Sequence, residues 1–87
     1  MTEQQLQTKI KKKLESQGYY VINLIKTDKS GIADLLALKD KEAPMFIEVK
    51  KPKGGVISEL QKYRIDKQRE LGFKAFVTNN IELKPIY

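Results

Sequence analysis

Residues 32–50 read IADLLALKDKEAPMFIEVK, and this stretch decides the fold. Ile32–Leu38 and Met45–Val49 are two short apolar runs, each interrupted by one acid, Asp34 in the first and Glu48 in the second. Their brevity and the turn-forming residues around them predict strands rather than helices. Asp40, Lys41, Glu42 and Ala43 have the composition of a hairpin tip, with Pro44 closing it. A hairpin centred there pairs residues whose numbers sum to about 83, which puts Asp34 opposite Val49 and within one residue of Glu48. Glu48 and Lys50 are two apart, so they project from one face. The hairpin therefore gathers two carboxylates and an ammonium near one end of the sheet.

On the N-terminal side, residues 2–17 predict a helix. Thr2 with Gln5 makes a capping box, Leu6, Ile10 and Leu14 form an apolar stripe, and Gly18 terminates. Tyr19–Ile25 (YYVINLI) reads as a strand. Past the hairpin, Lys51–Val56 (KPKGGV) reads as a loop. Ser58, with Gln61 three residues on, opens a second helix that runs to about Leu71 and ends at Gly72. Phe73–Val77 (FKAFV) reads as a fourth strand, and Asn79–Tyr87 as either an edge strand or a packed tail. The order α-β-β-β-α-β predicts an α/β fold with a mixed sheet flanked by helices, because a crossover helix of that length permits a parallel connection. Residues 1–87 read as a single domain.

The chain has 87 residues, of which 40% are hydrophobic and 32% charged, as in folded soluble proteins. No apolar run approaches the roughly 18 residues of a membrane helix, and Met1–Lys13 is too polar for a secretory signal. Intracellular residence is the expectation. With no Cys and no His, disulfides, zinc fingers, thiol nucleophiles and histidine bases are all excluded. Catalysis would fall to carboxylates, Lys, Tyr, Ser or Thr, or to a hard cation with oxygen ligands. A net charge of +6 and a pI near 9.6 favour a polyanionic partner, either nucleic acid or an acidic membrane surface.

Carboxylates inside apolar strands are costly unless paired or bound to a cation. Asp34, Glu48 and Lys50 suit metal-assisted hydrolysis of a phosphodiester. Two carboxylates can hold Mg²⁺ or Mn²⁺, while a lysine positions water or neutralises charge on phosphorus. The same residues are equally consistent with a strand-end ion pair, Asp34–Lys50 or Glu48–Lys50, and residue chemistry leaves both readings open. Lys51 and Lys53, with Gly54 and Gly55, follow directly and are candidates for contacts to a DNA backbone. Their spacing is not that of a P-loop. Lys9–Lys13, Lys62, Arg64, Lys67 and Arg69 are further phosphate candidates, each also readable as solvated surface. Tyr19 and Tyr20 read as core or interface rather than base-stacking platforms.

Gly31-Ile32-Ala33-Asp34 followed by Phe46-Ile47-Glu48-Val49-Lys50 resembles the split motif of the PD-(D/E)xK nuclease superfamily, whose restriction-endonuclease-like core has the same element order. Glu3-x-x-Leu6-Gln7, Gly18, and Ser58-x-x-Gln61 narrow the resemblance to the VRR-NUC (virus-type replication-repair nuclease) family, over residues 3–78. The resemblance implies Mg²⁺- or Mn²⁺-dependent cleavage of DNA, with no organic cofactor. It also implies stand-alone phage or bacterial members that act as homodimers on branched DNA such as four-way junctions, in the cytoplasm of a bacterium or phage-infected host. It assigns the metal to Asp34, Glu48 and the Val49 carbonyl, and adds Ser58 to Lys51 and Lys53 as DNA contacts. Glu3 matches the family's first-helix acid, although a first-turn carboxylate also suits the helix dipole. Gln61 matches an active-site glutamine, although the capping box explains it equally well. Ala33 stands where the family usually has Pro, a change that leaves the ligand at Asp34 intact. The rival readings are a non-cleaving nucleic-acid-binding module on the same fold, and a basic adaptor with no nucleic-acid role.

Overall fold

The computed structural model describes residues 1–87. Helix α1 (Glu3–Ser16) starts at an N-cap formed by Thr2, whose hydroxyl accepts from the Gln5 N–H while the Gln5 side chain accepts from the Thr2 N–H. Helix α2 (Glu59–Glu70) starts in the same way at Ser58 and Gln61. Both helices end in the paired bonds of a Schellman motif. Tyr19 N–H reaches Leu14 O and Gly18 N–H reaches Glu15 O, while Phe73 and Gly72 bond Gln68 and Arg69 alike.

Between and after them lie β1 (Tyr20–Asn23), β2 (Leu35–Leu38), β3 (Met45–Val49) and β4 (Lys74–Thr78), in the sheet order β1-β2-β3-β4. The first three are antiparallel, and β4 runs parallel to β3. The sheet is thus mixed, as the crossover helix predicts. Strand alternation sends Val21, Leu35, Ala37, Met45, Ile47 and Val49 under α1, where they meet Leu6, Ile10 and Leu14 in one buried cluster. The opposite face packs Ala75 and Val77 against Ile65 of α2. Glu48 alternates with Ile47 and Val49, so it belongs to this second face.

Several boundaries differ from the sequence reading. The first strand is trimmed to Tyr20–Asn23, because Tyr19 completes the helix cap and the pairing ends with Leu24, whose N–H makes a last bond to Asp34 O. Asp34 lies just before β2 rather than within it. The hairpin pairs Leu35 with Ile47 and Ala37 with Met45. That register is shifted by one residue from the expected one, and its extension sets Asp34 against Glu48 rather than Val49. At the tip Lys41 adopts φ 64, a left-handed conformation. The C-terminal segment is a packed tail. It makes a single bridge, Thr78 to Pro85, while Thr78 Oγ donates to Lys84 O and Ile86 N–H reaches Val77 O. No helix is long and apolar enough to cross a membrane.

Candidate active site

Asp34 is fixed at three points. Its N–H donates to Ile47 O at 3.1 Å, its carbonyl accepts from Leu24 N–H at 2.8 Å, and its carboxylate Oδ2 accepts from Val49 N–H at 2.8 Å. A side-chain oxygen thus replaces a main-chain acceptor where the ladder ends. Gly31 sets up this approach: its φ is 75, and a Cβ there would lie 2.8 Å from Leu60 Cγ on α2. Ala33 is buried, so the position that departs from the family pattern is closely packed.

Glu48 is only 4% exposed. Its Oε2 accepts from Gln61 Nε2 at 3.0 Å and lies 3.4 Å from the Lys50 ammonium. Gln61 therefore makes two contacts with one side chain. Its Oε1 caps α2 by accepting from Ser58 N–H, and its Nε2 holds Glu48. Lys50 extends the parallel ladder by donating its N–H to Thr78 O at 2.9 Å. Loop residue Gly55 lies against the lysine stem, where an added Cβ would be 2.8 Å from Lys50 Cβ. Of the two ion pairs considered, Glu48–Lys50 forms.

Carboxylate oxygens of Glu3, Asp34 and Glu48 all lie within 4.8 Å of one another. Glu3 is exposed and comes from the first turn of α1. With Gln61 in the first turn of α2, the two helix N-termini converge on the site, and their positive dipole ends favour bound anions. Burial is the main cause that lifts the Glu48 carboxyl to about 7, and the Asp34 charge adds to it against the opposing Lys50. Burial likewise raises Asp34, helped by Glu3 and opposed chiefly by the Val49 N–H. Two partly desolvated carboxylates crowded by the exposed Glu3, with one cation, are undercompensated, and an all-oxygen donor set fits a hard divalent ion such as Mg²⁺ or Mn²⁺.

The remaining sequence candidates are distributed differently. The Val49 peptide is tied to Asp34, which puts it beside the cluster. Ser58 is occupied as the α2 cap. Lys51 and Lys53 are exposed on the loop just past Lys50 and form no ion pair. Several of the other cations serve the fold: Lys13 donates to Ile81 O, Arg64 to Ser30 O, and Arg69 to the Ala75 and Tyr87 carbonyls. Tyr19 packs on the α1 cluster beneath Lys39, whereas Tyr20 is exposed.

A four-stranded mixed sheet between two helices, with an acid–acid–lysine set at the end where both helices begin, defines a restriction-endonuclease-like fold. Residues 1–80 match the VRR-NUC domain family, and the chain belongs to that family of nuclease domains. A solved structure described as a VRR_NUC domain is 28% identical, with a TM-score of 0.81 over 94% of this chain and 89% of its own. A second, a VRR_NUC domain protein at 22% identity, shares the fold with a TM-score of 0.76 over 94% of this chain and 80% of its own. No curated protein matches the chain.

Proposed function

We propose that this chain is a divalent-metal-dependent DNA endonuclease acting on branched DNA. The observation that carries the reading is the meeting of the Glu3, Asp34 and Glu48 carboxylates within 4.8 Å, beside an ammonium 3.4 Å from Glu48. Asp34, Glu48 and the Val49 carbonyl hold Mg²⁺ or Mn²⁺, with Glu3 supporting them from α1. The bound ion supplies Lewis-acid stabilisation of charge on the phosphodiester. Lys50 orients the attacking water and neutralises charge as the new P–O bond forms and the leaving P–O bond breaks. Gln61 keeps Glu48 in place, and Lys51, Lys53 and Ser58 contact the flanking phosphates.

Dimerisation belongs to the same proposal. Symmetric cutting of a four-way junction needs two active sites, and one chain presents one. Support for a self-association surface comes from a groove of about 390 Å³ between α2 and the sheet, where Ile32, Phe46, Tyr63, Leu71 and Phe73 form the apolar lining and Lys29, Arg64, Lys67 and Gln68 the polar part.

The test uses labelled duplex, flap and four-way-junction DNA in Mg²⁺ or Mn²⁺, with wild type, Asp34→Ala and Glu48→Ala. Cutting by wild type that is lost in both variants, with DNA binding retained, is the expected result. Wild-type binding without cutting in either metal would leave a non-cleaving binding module. Sedimentation at the 10.0 kDa monomer mass would rule out the dimer.

A further inference from the structure

A cleft of about 330 Å³ opens directly on Asp34, walled by Gln4 and Gln7 of α1 and by Asn23, Leu24 and Ile25 at the end of β1. Its chemistry differs from that of the basic loop proposed to contact phosphate. No free cation lines it. Lys11 donates to Asn23 Oδ1 at 2.8 Å, so that amide has its acceptor end occupied and its NH₂ group left to donate. Gln4 uses only its backbone carbonyl, as acceptor for Thr8 Oγ, and the Gln7 side chain has no partner in the chain. Gln7 follows Glu3 by four residues, so it stands one turn further along the same helix face. At the lip, Ile25 is 90% exposed, a large aliphatic side chain with nothing packed on it.

Three carboxamides and a bare isoleucine around a small cleft whose one ionisable wall is the Asp34 carboxylate do not suit a phosphate, which would be drawn to cations. They suit a nucleobase. Gln4 and Gln7 amides can pair in two-point fashion with a base edge, the Asn23 NH₂ group can donate to one, and an exposed apolar side chain offers contact to a base face. A base that is still paired and stacked cannot insert its edge and face together, so the occupant must be unpaired. We propose that this cleft receives the base of an unpaired nucleotide next to the scissile phosphate, with Gln4, Gln7 and Asn23 as specificity-determining residues. The inference rests on the nuclease reading, because Asp34 is both the wall of the cleft and a ligand of the proposed metal.

The experiment compares Gln7→Ala and Ile25→Ala with wild type on a branched substrate, with the nucleotide beside the mapped cut site either intact or abasic. Ile25 is so exposed that its truncation cannot disturb folding. Each variant should lose roughly five- to tenfold in kcat/KM on the intact substrate and little or nothing more on the abasic one, which wild type already cuts less well. Mn²⁺ affinity should be unchanged. Equal losses on both substrates would overturn the proposal. A second readout does not require cutting: 2-aminopurine at the unpaired position beside the branch, in Ca²⁺, should change fluorescence with wild type and much less with either variant. If wild type cuts nothing, the nuclease reading fails, while this signal still supports the base site; its absence overturns the base site as well.

Discussion

Between α1 and the sheet nine apolar residues are buried in one cluster, whereas between α2 and the sheet only Ile65, Ala75 and Val77 form a buried apolar group, with Glu48 and Gln68 buried as well. The Gln68 amide oxygen, also on α2, is a buried side-chain atom without a hydrogen-bond partner. One face is a dry core and the other a thinner layer interrupted by polar groups. The same strand serves both: Ile47 and Val49 point to the first face, Glu48 and Lys50 to the second. A small fold can tolerate desolvated carboxylates on one side of a strand because the other side supplies the apolar burial that stabilises it.

The sharpest way to break this division is to exchange the two faces' roles by mutation. Glu48→Ala should reduce the cleavage rate by about 10³-fold or more, the loss of several kcal/mol of charge stabilisation. Without metal it should leave thermal stability equal or higher, since a crowded buried carboxylate is removed. Leu35→Ala, on the other face, should destabilise folding by about 2–5 kcal/mol while the folded fraction keeps its kcat. A Leu35 variant that lost kcat as steeply as the Glu48 variant, at equal folded fraction, would end the separation of roles.

Titration sharpens it further. Glu48 holds its proton up to about 7 in the folded chain, against 4.5 ordinarily. Between those values the unfolded chain ionises first, so metal-free stability should fall as pH rises, by about 2–3 kcal/mol, and then level off. Asp34, also raised, acts in the same direction. Denaturant titrations of wild type minus Glu48→Gln isolate the effect, and Mg²⁺ above pH 7 should reverse it. A difference curve flat with pH would show that Glu48 is not desolvated.

Gln61 separates chemistry from capping within one side chain. Gln61→Glu retains an oxygen for the Ser58 N–H but replaces the donor to Glu48 with a charge. It should cost about tenfold in activity and less than 1 kcal/mol in stability, whereas Gln61→Ala should lose the cap contribution too, about 1 kcal/mol. The smallest effect lies far from both faces: Lys41→Gly at the left-handed hairpin tip should stabilise by about 0.5–1 kcal/mol with activity unchanged.

The periodic elements were legible because local chemistry specifies them. Thr2/Gln5 and Ser58/Gln61 mark both helix starts, Gly18 and Gly72 both ends, and Leu6, Ile10 and Leu14 the buried stripe. Asp34, Glu48 and Lys50 stood out as charges in apolar strands. The register of their hairpin lies one residue from the expected one, and the left-handed φ of Lys41 at its tip is one that its residue type does not announce. The cleft at Gln4, Gln7, Asn23 and Ile25 left a weaker trace: Gln7 lies one helical turn from Glu3, but nothing local ties either residue to the end of β1.

Sequence alone determined the element order, the mixed sheet and the identity of the acids and lysine, because spacing along a strand or helix fixes which side chains share a face. Tertiary structure alone decided that Asp34 borrows the Val49 N–H, that Gln61 bridges a helix cap to Glu48, that Lys50 pairs with Glu48, and that Glu3 closes the carboxylate cluster. Each of these joins residues from different elements, and the distances between them are set by how α1, α2 and the sheet pack rather than by any interval along the chain.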